Sequence, residues 1–361
     1  GWIKLVIYCH ERDCMFTGYL NIMCSKLTLR VALILPILLL SSCKSSVEFS
    51  RRDIDIRKNR GDVVVSPYGP RDGGDFGRYT PGTKTSGLQE AFDYAKKTGR
   101  DVYIVGGNWT RDVNLPAIYY LEETLHIPWM QDFRCDGGNS VIHYRPKTGD
   151  AIVFDSQMSC YYRFGLITTG SQDGAAVAFR ATTEGPDKFS VITSTEFYFN
   201  AIVGGGGAWP SGQAYQSELN PNHSWTGIGL LMDGSFGHID GNKITVVEIV
   251  GCDIGVYLKE ACTNNWLDIP FLHLCNTHIQ VGSPDAQTVS NNRINAFVHS
   301  QGIAGAVGVR VFGQNNLLTL SSGQMSPGSD LILEPSARDN LIIAAMFPNG
   351  ITNRAIQPTN R

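Results

Sequence analysis

The sequence has little charge and no excess of either sign. Lys, Arg, Asp and Glu make up 17% of the 361 residues, against about 25% in an average soluble domain. The formal net charge is -3. This balance excludes a generally basic nucleic-acid-binding protein, and it gives no electrostatic basis for adhesion to anionic lipid. Nucleic acid is therefore not an expected partner.

Common catalytic and metal-binding motifs are also missing. None of the nine cysteines forms a CxxC pair or stands at a Cys/His spacing typical of zinc. The glycine run at 204–207 lacks the Lys-Ser/Thr of a phosphate-binding loop, and no Gly-x-Ser-x-Gly or His-Glu-x-x-His motif occurs. The carboxylates are scattered along the sequence, so no pattern supports a Ca2+ site, although Ca2+ binding is left open. No other cofactor is expected.

Glycine is abundant, at 39 residues, or about 11% against the usual ~7%. Apolar residues make up 42% of the chain, which is enough to bury a sizeable core. Length alone suggests about two domains. The combination of high glycine and low charge is typical of a β-rich chain with many tight turns.

The N-terminal segment has the pattern of a bacterial lipoprotein signal. Lys26 and Arg30 precede an apolar run over 31–40, which is too short for a comfortable transmembrane span. Leu40-Ser41-Ser42-Cys43 resembles the lipobox, and this resemblance implies that Cys43 becomes the lipidated first residue of the mature protein. We therefore expect an envelope protein, lipid-anchored at the outer membrane or in the periplasm, or else extracellular. The expected segments are an over-extended reading frame over 1–22, the signal peptide over 23–43 and a polar tether over 44–61.

Two sequence patterns repeat with one common period of about 25 residues. The first is a short apolar run that occurs at 151–155, 176–180, 229–233, 255–259, 278–282, 308–312 and 330–334. The second is an asparagine that opens an apolar run, at Asn242, Asn265, Asn292, Asn316 and Asn340. Short strands, frequent glycine and no intervening helix predict a parallel β-solenoid whose strands stack from coil to coil.

The repeated asparagines suit the bends of such a solenoid. Asparagine tolerates the left-handed backbone conformation, and stacked side-chain amides can hydrogen-bond from one coil to the next. We therefore interpret these residues as scaffold. A leucine-rich repeat would need a Leu-x-x-Leu-x-Leu-x-x-Asn frame, which is absent.

Ahead of the repeats, residues 85–97 predict a short amphipathic helix, and Asp101-Val-Tyr-Ile-Val-Gly-Gly predicts a strand. With these elements the chain resembles the pectate-lyase-like right-handed parallel β-helix superfamily, in which such a helix plugs the end of the solenoid. The resemblance implies an all-β, right-handed parallel β-helix with an N-terminal capping helix. We expect one domain over 62–354 with a projecting loop over 204–226, followed by a tail over 355–361.

Function is expected on the outer faces, because the interior of a β-helix is packed with apolar side chains. The first pattern predicts an outer patch of Asp233, Tyr257, Lys259 and Arg310. The alternative is simple cross-strand ion pairing, Asp155 with Arg180 and Asp233 with Lys259.

The asparagine pattern predicts a second patch. Lys243, Trp266 and Arg293 directly follow three successive asparagines, and Asp268 and Asn295 come two residues later. We expect His273 close to this patch and Trp209 in the projecting loop. An aromatic ring beside cations suits an acidic sugar.

The resemblance implies two chemistries. A polysaccharide lyase would use a base such as Arg, Lys, His or Tyr and a second cation to neutralise the uronate. A glycoside hydrolase would use two carboxylates. The catalytic candidates are Asp268, Arg293, Lys243, Asp233, Lys259 and Arg310, and the substrate-binding candidates are Trp266, Tyr257, Asn295, His273 and Trp209. The expected function is action on an acidic polysaccharide; the alternative is a non-catalytic β-helix for adhesion or glycan binding.

Overall fold

The computed structural model describes residues 2–9, 14–21, 51–106, 118–182, 190–204, 227–285, 288–300, 305–325, 329–345 and 350–354. The chain divides into two compact units, Gly1–Asp53 and Ile54–Arg361. In the first unit, β1 (Trp2–Cys9) pairs antiparallel with β2 (Cys14–Asn21). The signal segment and the lipobox Cys43 lie outside the described residues.

The second unit is a parallel β-helix, as the two repeats predict. Its strands form three sheets in which all described strand pairings are parallel. We call them sheets A, B and C, and their strands follow one another along the chain in the order C, A, B in each coil that has a strand in all three.

Within the described residues, sheet A has eleven strands, sheet B nine and sheet C five. The strands of sheet A are β3 (Val63–Val65), β4 (Val102–Ile104), β5 (Ile118–Leu121), β8 (Arg134–Tyr144), β11 (Tyr161–Thr169), β14 (Glu196–Val203), β17 (Lys243–Val250), β20 (Trp266–His273), β22 (Arg293–Ser300), β24 (Leu317–Met325) and β26 (Leu341–Ala345). The nine strands of sheet B are β6 (Leu125–Ile127), β9 (Ile152–Phe154), β12 (Ala175–Phe179), β15 (Ile228–Asp233), β18 (Ile254–Glu260), β21 (Thr277–Val281), β23 (Val307–Val311), β25 (Ser329–Leu333) and β27 (Ile351–Asn353). The five strands of sheet C are β7 (Met130–Gln131), β10 (Gln157–Met158), β13 (Val191–Thr193), β16 (His238–Asp240) and β19 (Cys262–Thr263).

Both repeat patterns correspond to stacked strands. The first pattern supplies the strands of sheet B from β9 to β25, and the asparagine pattern supplies β17, β20, β22, β24 and β26 of sheet A. The period of about 25 residues is therefore one coil of the β-helix. All coils of the β-helix lie within the one compact unit Ile54–Arg361, because a solenoid grows by adding coils.

The interior is a continuous apolar stack. Ile152, Val177 and Leu230 occupy one register position on successive strands of sheet B, and all three are fully buried. Aromatic rings fill the early coils, where Phe179 lies 4.3 Å from Phe197 and 5.2 Å from Phe154, measured between ring centroids. Strand alternation sends these side chains inward and leaves their neighbours on the outer faces.

Helix α2 (Leu88–Thr98) closes the N-terminal end, and it buries the apolar residues that the sequence pattern predicts: Leu88, Ala91, Phe92 and Ala95. It begins after Gly87 and ends at Gly99, and both glycines have left-handed backbone conformations. A further helix, α1, spans residues 51–59 within the segment expected to be a polar tether. Its Ile54 is 1% exposed and packs against Val64 and Val105, so this part of the segment contributes to the fold.

Candidate functional site

A ladder of asparagines, buried at Asn242, Asn265, Asn292 and Asn316, fixes which side chains reach the outer face of sheet A. The side-chain oxygens of Asn265, Asn292, Asn316 and Asn340 each accept the backbone N–H of the asparagine one coil earlier, at 2.9–3.1 Å. The side-chain N–H groups donate to backbone carbonyls, such as that of Ile239 for Asn265. These bonds satisfy turn backbone that would otherwise be buried without partners.

The left-handed bend lies one residue before the ladder, rather than at the ladder asparagines as expected from sequence. Asn264, Asn291 and Asn315 have φ between 55° and 58°. The bend and the ladder use different residues because they need different side-chain directions. The bend residue turns the chain and stays exposed, while the ladder residue points its amide inward. The residue after each ladder asparagine then begins a strand of sheet A.

The strand register brings the predicted second patch together. Lys243, Trp266 and Arg293 are direct neighbours on β17, β20 and β22. Asp268 and Asn295 are neighbours in the next outward position, where the Asn295 amide donates to Asp268 Oδ1 at 2.8 Å. We call Trp266, Asp268, Arg293 and Asn295 the tryptophan cluster.

Arg293 is the exposed cation of the tryptophan cluster. Its guanidinium carbon lies 5.9 Å from the centre of the Trp266 ring, and Trp266 is 52% exposed. No carboxylate among the described residues forms an ion pair with Arg293. A guanidinium and an aromatic ring are thus presented to solvent side by side.

Lys243 has a different environment. Its ammonium lies 2.7 Å from Glu196 Oε1, and this hydrogen bond raises the pKa of Lys243 above its ordinary value. Lys243 is therefore a protonated cation at neutral pH and is unsuited to abstract a proton.

His273 lies at the far end of β20, away from the tryptophan cluster. It lies seven positions after Trp266, or roughly 23 Å along an extended strand. It is 6% exposed, its Nε2 lies 2.9 Å from Glu248 Oε1, and its ring stacks on Phe271. The expected proximity of His273 to the patch is thus wrong, because extended backbone carries it along the sheet.

On sheet B, Asp233 and Lys259 form the predicted ion pair at 3.1 Å. The predicted pair of Arg180 with Asp155 is wrong. Arg180 pairs instead with Asp150 at 2.6 Å and with Asp233 at 3.0 Å. Burial alone would raise the pKa of Asp233, but hydrogen bonds from Ser235 and Lys259 outweigh it and lower that pKa. Asp233 is therefore ionised at neutral pH, which does not suit a general acid.

The other two sheet B candidates are also engaged with neighbours. Arg310 Nε lies 3.4 Å from Glu334 Oε1, which also contacts Arg354. Tyr257 is half-buried against the outer apolar cluster around Leu231, and burial raises the pKa of its hydroxyl. Gln280 separates Tyr257 from Arg310 in the register, so the predicted patch is a row along three coils. Trp209 lies outside the described residues.

Sequence reasoning missed four outward residues on earlier coils of sheet A. They are Arg134, Tyr161, Arg163 and Tyr198. Their coils carry Phe133, Cys160 and Thr195 at the position taken by ladder asparagines later, so the asparagine pattern does not reveal them. The remaining signal is the alternation of polar and apolar residues in Tyr161-Tyr162-Arg163-Phe164.

Neither a family model nor a curated protein matches the chain. Within the described ranges, no group of three or more His, Cys, Asp or Glu side chains could hold a metal ion. None of the helices in the described part of the chain is long and apolar enough to cross a membrane. A cavity of about 340 Å³ lies between the end of α2 and β7, away from the tryptophan cluster, and Lys96 and Trp129 contribute to its walls.

Proposed function

We propose that this protein binds an anionic polysaccharide on the outer face of sheet A, with the tryptophan cluster as the main contact. The observation that carries the proposal is the exposed Arg293 guanidinium beside the exposed Trp266 ring. A guanidinium binds a carboxylate or sulfate through two parallel hydrogen bonds. An indole ring offers a large apolar face to a sugar ring while its edge stays polar.

Cleavage of the bound chain is the second candidate, and Asp268 favours it. This carboxylate lies two residues from Trp266 on β20 and accepts a hydrogen bond from Asn295. It would act as the general base of a lyase or as one of the two carboxylates of a hydrolase. Binding is preferred because the charged sheet B candidates form ion pairs and Lys243 is held protonated by Glu196.

The place of action that we propose is the cell envelope. The support is the lipobox at residues 40–43, whose cysteine would carry the lipid anchor. Lipidation of Cys43 remains a prediction from the sequence.

Binding is tested with polygalacturonate and with a sulfated glycan. We expect Trp266→Ala and Arg293→Gln each to weaken binding about tenfold or more, measured by titration calorimetry, and we expect added salt to weaken binding by the native protein. Arg338→Gln is the matched control, because it removes an exposed arginine that bonds to Gln314 near sheet C.

Product assays on the same mixtures of protein and polysaccharide decide between binding and cleavage. Unsaturated-product absorbance would identify a lyase and new reducing ends a hydrolase, and each should disappear in Asp268→Asn. Equal affinity of the native, Trp266→Ala and Arg293→Gln proteins would contradict the proposed site.

A further inference from the structure

A second group of cations and rings lies on the same face of sheet A. The guanidinium of Arg134 lies 4.6 Å from the Tyr161 ring centre, and that of Arg163 lies 5.6 Å from the Tyr198 ring centre. Each arginine and its tyrosine are direct register partners on neighbouring strands. We call Arg134, Tyr161, Arg163 and Tyr198 the tyrosine cluster.

The arginines of this cluster differ from Arg57, a stacked arginine on helix α1. Arg57 also lies over a ring, that of Tyr103, but it forms ion pairs with Asp62 and Asp136. Within the described residues, no carboxylate forms such a pair with Arg134 or Arg163. Asp101 accepts the backbone N–H of Arg134, and Asp136 is the register neighbour of Arg163, but neither of these carboxylates forms an ion pair with the guanidinium, which is therefore available to a ligand.

The backbone under Arg163 is shaped for that side chain. A Cβ atom on Gly138 would lie 2.5 Å from Arg163 Nε, so only glycine lets the guanidinium lie where it does. The neighbouring Asn200 amide bonds to the carbonyl of Gly138 and holds this backbone in place. The missing side chain at Gly138 therefore leaves the space that the Arg163 guanidinium occupies.

The tyrosine and tryptophan clusters are separated by a neutral pair. Glu196 and Lys243 occupy the positions between Tyr161 and Trp266 in one register row and neutralise each other. Arg163 on β11 and Arg293 on β22 are four strand steps apart, or roughly 19 Å at about 4.8 Å per step. A single sugar ring is too short to contact both arginines, whereas an extended oligosaccharide is long enough.

We infer that the tyrosine cluster is a second anion-binding site, and that one extended acidic polysaccharide binds both clusters at once along the axis of the β-helix. This inference rests on the proposed function of the tryptophan cluster. Binding to two linked sites turns the second contact into an intramolecular step, which raises affinity without any new type of contact. The face would therefore select long chains over short ones.

Oligosaccharides of defined length test this inference. We expect octagalacturonate to bind the native protein at least tenfold more tightly than digalacturonate, beyond the statistical gain from repeated units. Arg134→Gln combined with Arg163→Gln should abolish the length-dependent gain, as should Trp266→Ala combined with Arg293→Gln. Heparin-derived oligosaccharides of matching length show whether sulfate replaces carboxylate.

Two further variants separate the cluster from general charge effects. Gly138→Ala keeps the charge but displaces the Arg163 guanidinium, so it should reduce the length-dependent gain. Arg71→Gln combined with Arg338→Gln removes two exposed cations that belong to neither cluster and should leave the gain unchanged. Thermal unfolding of each variant verifies that it is folded.

The outcomes distinguish this inference from the proposed function. If the tyrosine-cluster variant keeps the full gain while Trp266→Ala weakens binding, the tyrosine cluster is not a site and the tryptophan cluster stands. If the native protein binds octagalacturonate and digalacturonate equally, the bridging of two sites is wrong. If neither the galacturonate nor the heparin-derived oligosaccharides bind the native protein, both proposals fail.

Discussion

The outer faces of sheets A and B carry similar charged residues in different arrangements. On sheet B, carboxylates and cations alternate in contact along successive coils: Asp150 with Arg180, Arg180 with Asp233, and Asp233 with Lys259. On sheet A, Arg134, Arg163 and Arg293 lie against aromatic rings instead. A row of charges is available to a ligand only where the charges are not paired with each other, and among the described residues this condition holds for these three arginines of sheet A.

The largest difference in stability that we expect comes from making the same change, Asp to Asn, once on each face. Asp233→Asn should lower the free energy of unfolding by about 2 kcal/mol, less than the roughly 3–5 kcal/mol of a fully buried pair, because Arg180 and Lys259 reach solvent. Asp268→Asn should change it by less than about 0.5 kcal/mol, because this side chain is only half-buried and its amide can still accept a hydrogen bond. Urea unfolding measures both. An equal loss in the two variants would remove the distinction between a structural and a binding face.

Lowering the pH should reduce the loss of unfolding free energy that Asp233→Asn causes. The pKa of Asp233 is lower in the folded protein than in the unfolded chain, where it is about 3.9. Its contribution to stability is therefore complete above that value, and it is lost as the pH falls through the folded-state pKa. The difference in unfolding free energy between the native protein and Asp233→Asn should be constant from about pH 5 to about pH 7 and shrink below about pH 4. A difference that grew on acidification would contradict this assignment.

The smallest expected effect concerns the neutral pair on sheet A. Lys243 and Glu196 are about half exposed, so Lys243→Gln should change the free energy of unfolding by no more than about 1 kcal/mol. A double-mutant cycle with Glu196→Gln isolates the pair. A coupling energy as large as the loss in Asp233→Asn would show that pairs on the two faces do not differ.

The sequence was sufficient to predict the fold because the repeat itself encodes the stacking. Each coil carries the same inward apolar positions, and from Asn242 onward the ladder marks where each strand of sheet A begins. Register then follows, and so does the row of Lys243, Trp266 and Arg293. The helix that closes the end was also predictable, because its buried face follows from the spacing of four apolar residues.

The sequence was insufficient where a side chain reaches across coils or a strand is irregular. Arg180 is long enough to contact Asp150 and Asp233, and spacing alone suggested Asp155. The strand β20 has a register shift between Ile269 and Leu272, which changes how its far end, including His273, meets the next coil. The tyrosine cluster was missed because Cys160 and Phe133 replace asparagine at the ladder position.

The asparagine ladder makes the coil a unit that can be exchanged. Every rung offers the same groups to the rung before it and the rung after it, and the Asn242 oxygen accepts the Thr195 backbone N–H in the same way. A chain that lost the coil over 242–264 would therefore bring Asn265 against Thr195 with an equivalent hydrogen bond. Coils can thus be gained or lost without designing a new interface between them. Gain or loss of a coil between β14 and β20 would change the distance between the tyrosine and tryptophan clusters by about 4.8 Å, so the number of coils there would set the length of chain that can contact both clusters.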